Sequence, residues 1–135
     1  MAVDLVNKKE KIIFGEDSIV IAKYGMSLPG GRALDTTGFA DTVIKAGHVI
    51  IKSAEGVYKP MPVSEGNYAE LPGSHTYVGV LYRSILTAKP SASILIDGVV
   101  NEAALPYSIA TIKTAFTAAV PHIIFVKDEP TDVKS

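Results

Sequence analysis

The apolar positions of this chain fall in short runs separated by glycines, prolines and polar clusters, a spacing that predicts strands joined by turns. Lys11 to Phe14 and Ser18 to Lys23 are β-branched runs on either side of Gly15-Glu16-Asp17, which predicts a first hairpin. Tyr24 to Phe39 carries Pro29 and a series of glycines, and it predicts a loop with one short strand at Arg32 to Leu34. His48 to Lys52 and Val57 to Met61 flank the turn Ser53-Ala54-Glu55-Gly56. Pro60 and Pro62 confine the second of these runs to an edge or a strand end, because proline cannot donate to a ladder. A polar connection from Ser64 to Ser74 leads to Tyr77 to Thr87, the longest strand candidate. Lys89-Pro90-Ser91 separates that run from Ser93 to Val100. Gly79 and Gly98 interrupt the last two runs, where glycine marks a bulge or the close approach of another backbone.

One segment changes period. Ile109, Ile112, Phe116, Ala119 and Val120 recur at spacings of three and four, which predicts a helix capped by Ser108, stopped by Pro121 and packed on the sheet through its Ile-Phe face. His122 to Lys127 then predicts a closing strand. The expected fold class is α+β, mainly β: a small bent-strand barrel or sandwich with one C-terminal helix packed on it. The expected organisation is an N-terminal arm or first strand at 1–14, a single β-rich domain at 15–127 and a frayed tail at 128–135.

Length and charge narrow the picture. A chain of 135 residues fits one domain and should bury roughly two-thirds of its unfolded surface, enough for a core without metal or disulfide help. A formal net charge of −1 provides no field to gather nucleic acid or an anionic membrane, so neither partner is expected. The absence of cysteine excludes a thiol nucleophile and a zinc thiolate site and favours synthesis in the cytosol. The N-terminus has no secretory apolar core and no segment reaches the length of a membrane span, so a soluble, uncleaved chain is expected.

The candidate chemistry is sparse. His48, His75 and His122 are far apart and belong to no metal-ligand spacing. His48 is expected at a strand start, hydrogen-bonded or solvated. Pro29-Gly30-Gly31-Arg32 lacks the lysine and the following helix of a phosphate loop. Asp35, Asp41 and Glu55 lie in turn sequences, where carboxylates cap or solvate, and no Gly-x-Ser-x-Gly elbow is present. No catalytic, cofactor-binding or metal-binding residue is predicted, and the chain is not expected to be an enzyme.

Four segments together carry a resemblance: LPGGRALDTTG (28–38), IKAGHVIIKSAEGVYKPMPV (44–63), YVGVLYRSI (77–85) and ILIDGVVNEAALP (94–106). In this order they resemble the base domain of tailed-phage head-fibre proteins and, more distantly, lambda-type head-decoration proteins. The resemblance implies a virion structural protein on the outer capsid surface, binding the major capsid protein as a homo-oligomer, in particular a homotrimer. This sequence carries no heptad or collagen-like continuation of the kind that forms the long trimeric shaft of head-fibre proteins, so a fibre proper is not expected. The candidate partner-binding residues are Val3, Leu5, Ile12, Ile13 and Phe14, in an arm able to add to a shell protein's sheet edge, together with Gly30 and Gly31. The plainer reading makes Ile12 to Phe14 the first core strand.

Two other functions remain open on sequence grounds. A receptor- or carbohydrate-binding module would use Tyr24, Tyr58, Tyr68, Tyr77, Tyr82 or Tyr107 as stacking faces. A small enzyme would need His48 gathered with Asp41 or Glu55 around one deep pocket, and no such pocket is expected.

Overall fold

Val49, Ile50 and Ile51 are consecutive and wholly inaccessible to solvent, so they cannot belong to a strand with one wet face. They require a sheet covered on both sides. The computed structural model describes residues 20–127, and within them that sheet is the centre of the fold. Its strands are β1 (Ile21–Ser27), β4 (Val49–Ser53), β5 (Tyr58–Pro60), β8 (His75–Leu81), β11 (Ile94–Asn101) and β12 (Ile123–Val126). The spatial order is β1-β11-β8-β4-β5, with β12 also paired to β11. The other strands form three two-stranded ladders: β2 (Arg32–Ala33) with β10 (Ser91–Ala92), β3 (Val43–Ile44) with β9 (Ile85–Leu86), and β6 (Val63–Ser64) with β7 (Asn67–Tyr68).

The two faces of the sheet bury separate apolar clusters. Val49, Ile51, Val80 and Leu95 join Met61, Tyr68, Ile109 and Phe116 on one face. Ile50, Leu81 and Ile94 join Leu34, Ile44 and Ala92 on the other. Alternation along β4 and β8 therefore persists in direction while both directions are apolar. The molecule is α+β and mainly β, and the sheet remains open: β1 and β5 are its terminal strands, so no barrel closes.

β11 organises the sheet because three strands pair with it. β1 runs antiparallel along it, from Ile21↔Val100 to Ser27↔Leu95. On its other side β8 is paired only through Ile94↔Leu81 and Leu95↔Val80, and β12 takes over in parallel from Gly98↔Ile123 to Asn101↔Val126. β8 and β12 thus fork away from a shared strand. Helix α1 (Lys113–Ala119) fills the fork with Phe116, whose ring lies 5.5 Å from that of Tyr77 and 5.7 Å from that of Phe125. Both interrupting glycines sit where β11 is most crowded. A Cβ at Gly79 would collide with the Leu95 carbonyl oxygen, and one at Gly98 would lie 2.5 Å from that of Lys23.

Several sequence expectations hold and several need correction. The hairpin β4-β5 forms across Ile50↔Pro60 to Lys52↔Tyr58, with β5 at an edge and ending at Pro60. β1 continues through Tyr24 to Ser27, where a loop was expected, because β11 supplies a partner despite three register shifts. The run expected as one strand from Tyr77 to Thr87 breaks after Leu81. Ser84 Oγ accepts from Ala46 N at 2.9 Å, and Ile85 and Leu86 leave to pair with β3. The polar connection contains the hairpin β6-β7 around Glu65-Gly66, both at positive φ, as a two-residue turn demands.

The helix begins later than its apolar period. Ser108 bridges to Asn67 and its Oγ accepts from Ala110 N at 3.3 Å, so Ser108 caps a turn and α1 starts at Lys113 without a side-chain cap. Ile109, Ile112, Phe116 and Val120 are buried as the period predicts, whereas Ala119 is exposed. The proposed arm (Val3, Leu5, Ile12, Ile13, Phe14), the first half of the first hairpin and the 128–135 tail lie outside the described residues.

Substituting Gly79→Ala should destabilise the protein by about 1–3 kcal/mol or more, since the new methyl meets backbone that cannot rotate away. Urea unfolding at neutral pH measures this directly. A loss within about 0.5 kcal/mol, the range of neutral surface changes, would show that β8 and β11 do not pack this closely.

Candidate functional site

The turn Lys45 to His48 leads into β4 and places the His48 imidazole at the end of the sheet, wholly buried. Three rings meet it edge-on, those of Phe39, Tyr68 and Tyr107, with centroids 5.5, 5.3 and 5.5 Å away. Its Nε2 lies 2.9 Å from the Met61 carbonyl oxygen, a contact that requires the proton on Nε2. Nδ1 is then an acceptor, and it has no partner among the described residues. Burial pushes the His48 pKa down to about 4, against the opposing effects of the Met61 hydrogen bond and the Asp41 charge. The ring is neutral at physiological pH.

His48 lines a recess of about 100 Å³ together with Phe39, Asp41, Lys45, Pro106 and Tyr107. Phe39, Asp41 and Tyr107 also border a wider cleft of about 310 Å³, which adds Asp35, Lys59 and Pro60 among its walls. The two spaces therefore adjoin. Tyr107 donates its hydroxyl proton to Asp41 Oδ2 at 3.2 Å across 66 positions of sequence. Burial raises the Tyr107 pKa, with the Asp41 charge and the Asp41 hydrogen bond adding to it. The Thr37 side chain, and then its backbone N–H at 3.1 Å from Oδ1, hold the exposed Asp35 carboxyl below the usual carboxylate range.

His48 and Asp41 thus border the same small recess, with the imidazole buried behind its wall. Glu55 is not part of it: it lies in the exposed turn at the opposite end of β4. Phe39, Lys59 and Tyr107 were not singled out as a group by any linear motif, because each comes from a different loop or strand. Of the tyrosines considered as stacking faces, Tyr107 lines the pocket. Tyr68 is buried with its hydroxyl accepting from Val49 N at 3.0 Å. Burial raises its pKa.

Gly30 and Gly31 lie apart from this pocket, in the turn between β1 and β2, at φ of 81° and 68°. They fold Arg32 back so that its guanidinium donates to the Pro29 and Gly31 carbonyls at 2.8 and 2.6 Å and lies over Tyr58 at 5.5 Å. The arginine's role in that turn is to tie backbone together. His75 bonds the Gly73 carbonyl through Nδ1, and His122 is exposed after the helix. Among the described residues no group of histidine and carboxylate side chains is placed to hold a metal ion. No helix in them is long and apolar enough to cross a membrane.

Comparison of the chain with protein families, with curated proteins and with solved structures returns no match.

The neutral, buried His48 makes stability depend on pH. Its folded pKa is depressed from 6.5 to about 4, so between those values the unfolded chain binds a proton that the folded one refuses. Stability should be complete above pH 6.5 and fall as pH drops towards 4, by roughly 3 kcal/mol in all at about 1.36 kcal/mol per pH unit. Urea unfolding across this window in the native chain and in His48→Gln measures the contribution. Parallel pH profiles for the two proteins would refute it.

Proposed function

We propose that this protein is a non-enzymatic virion component that decorates the outer capsid surface of a tailed phage, reinforcing capsomer joints or forming a short head-fibre base. The reading is carried by the resemblance of the four segments to head-fibre base and decoration proteins. The loop 28–38 lies against β5 through the Leu34↔Tyr58 bridge and the Asp35 N to Tyr58 O bond at 2.8 Å. The segment 44–63 forms β4-β5, β4 pairs with β8 of the third segment, and β8 pairs with β11 of the fourth. The segments are thus neighbours, the last three being parts of one sheet.

The surface suits binding to a large partner. Tyr24 and Met26 on terminal strand β1, and Ile124 and Val126 on β12, are exposed large apolar side chains. β1 and β12 are both partners of β11, and Lys23, Val99 and Ile124 stand side by side across the three strands. Contacts of this kind need not be strong. Three of about 4 kcal/mol each, millimolar alone, bind persistently when a homotrimer delivers them together. The partner in this reading is the major capsid protein. The chain is made in the host cytoplasm and ends on the virion exterior, and it uses neither nucleic acid nor a membrane.

Electron microscopy of particles assembled with and without this protein tests the proposal. Extra density on the outer shell, present only with the protein, is the expected result. Identical shells would overturn it. Removing residues 1–14 should leave a folded protein by circular dichroism that no longer occupies purified shells. Unchanged occupancy would refute the arm while leaving decoration in place.

A further inference from the structure

The sheet is covered unevenly, and one bare stretch lies close to the point where residues 1–19 join it. Ile123 and Phe125 of β12 turn to the cluster around Phe116, so Ile124 and Val126 point to the opposite face. There the second cluster reaches β11 only through Ile94 and takes no residue from β1 or β12. Ile124 is left 58% exposed and Val126 39% exposed, with the half-buried Val99 of β11 opposite Ile124. Met26 of β1, opposite Asp97, is exposed at the margin. Scattered exposed apolar residues are ordinary, but a run of them across adjacent strands marks an interaction surface.

Two lengths of chain leave the described residues at this part of the sheet: 1–19 before β1 and 128–135 after β12. Their compositions differ. The C-terminal length has Val133 as its one large aliphatic residue and carries Asp128, Glu129 and Asp132, so it cannot cover an apolar stripe. The N-terminal length carries Val3, Leu5, Val6, Ile12, Ile13 and Phe14, which need a place out of water. It also has the reach. Ile21 stands opposite Val100 and Val100 opposite Phe125, so β12 lies two strand spacings from the start of β1, about 10 Å. Gly15 to Ile19 span up to roughly 16 Å when extended. A tether this short sets an effective concentration in the millimolar range, so a contact too weak to hold a separate peptide stays occupied. Charge agrees: Lys8, Lys9 and Lys11 outnumber Glu10 in the arm, and Asp128 and Glu129 follow directly on Lys127 at the end of β12. An arm laid along β12 brings these opposite charges together.

We propose that in the free protein the arm, residues 3–14, docks across Val99, Ile124 and Val126 of its own chain. The docking is a property of the chain by itself, and only its role rests on the decoration reading. In that reading the arm and the stripe are both surfaces offered to the capsid, and each covers the other until a shell competes for them.

The chain has no cysteine, so Asn7→Cys in the full 15N-labelled protein provides a single site for a nitroxide in the middle of the arm. The expected result is that the amide signals of Val99, Ile124 and Val126 broaden relative to the reduced label. Those of Ala33 and Ser91, in the β2-β10 ladder beyond the other end of β11, should keep their intensity. Ile124→Asp, at a position exposed enough to leave the core intact, should restore full intensity at Val99 and Val126. Ile12→Asp combined with Ile13→Asp should do the same from the side of the arm. Unbroadened β12 signals would overturn the proposal, as would broadening that survives Ile124→Asp. Broadening seen only when a nitroxide-bearing 14N chain is mixed with an unlabelled-thiol 15N chain would overturn it too, by assigning the stripe to the arm of a second copy. The measurement involves no shell, so its failure and the failure of decoration are separate results.

Discussion

Strand β11 has to satisfy three neighbours with one backbone, and the rest of the fold follows from how it does so. β1 occupies one side, while β8 and β12 divide the other and diverge around Leu95 to Gly98. Strands that diverge leave unpaired backbone and an open wedge between them, which must be filled or wetted. Here a buried aromatic ring fills it: Phe116 stands between Tyr77 and Phe125, carried by a helix only two turns long. Such a helix has little stability alone, so it and the wedge depend on each other. The absence of side chains at Gly79 and Gly98 allows the three backbones to converge at all.

With β8 held against β11, its other edge is free to receive β4, and both faces of β4 are then covered by apolar clusters. That double cover ends at His48. The histidine sits where the rings of Phe39, Tyr68 and Tyr107 meet, and its Nε2 continues the polar contacts of β4 by bonding the Met61 carbonyl. Met61 N in turn bonds the Val49 carbonyl at 2.8 Å, so the ring closes off the hairpin that Pro60 would otherwise end. The same placement gives the imidazole two consequences. It is neutral because it is buried, and its Nδ1 has no hydrogen-bond partner among the described residues. A structural plug has become one side of a pocket.

Much of this was legible along the chain. The hairpin β4-β5, its edge position, the closing strand and the buried Ile-Phe face of the helix all follow from local chemistry: proline cannot donate, turns need particular residues, and apolar period reports burial. The misjudged segments are those whose state is set by distant partners. Tyr24 to Ser27 has no alternating pattern and is a strand because β11 lies beside it. Ser108 has the chemistry of a helix cap, but its backbone bridges to Asn67 and the helix starts only at Lys113. Ser84 ends β8 through a bond to Ala46, 38 residues away in sequence.

The pocket shows the same division most sharply. The sequence by itself determined that the chain is mainly β and that its chemistry-bearing residues are few, since both rest on residue type and near-neighbour spacing. Only the tertiary structure decided that Phe39, Asp41 and Tyr107 gather beside His48, because the contact between Asp41 and Tyr107 spans 66 residues that linear spacing does not register. It also decided that the sheet stays open and that His48 is neutral. Both depend on what lies on the far side of a strand, which is a property of packing and not of order along the chain.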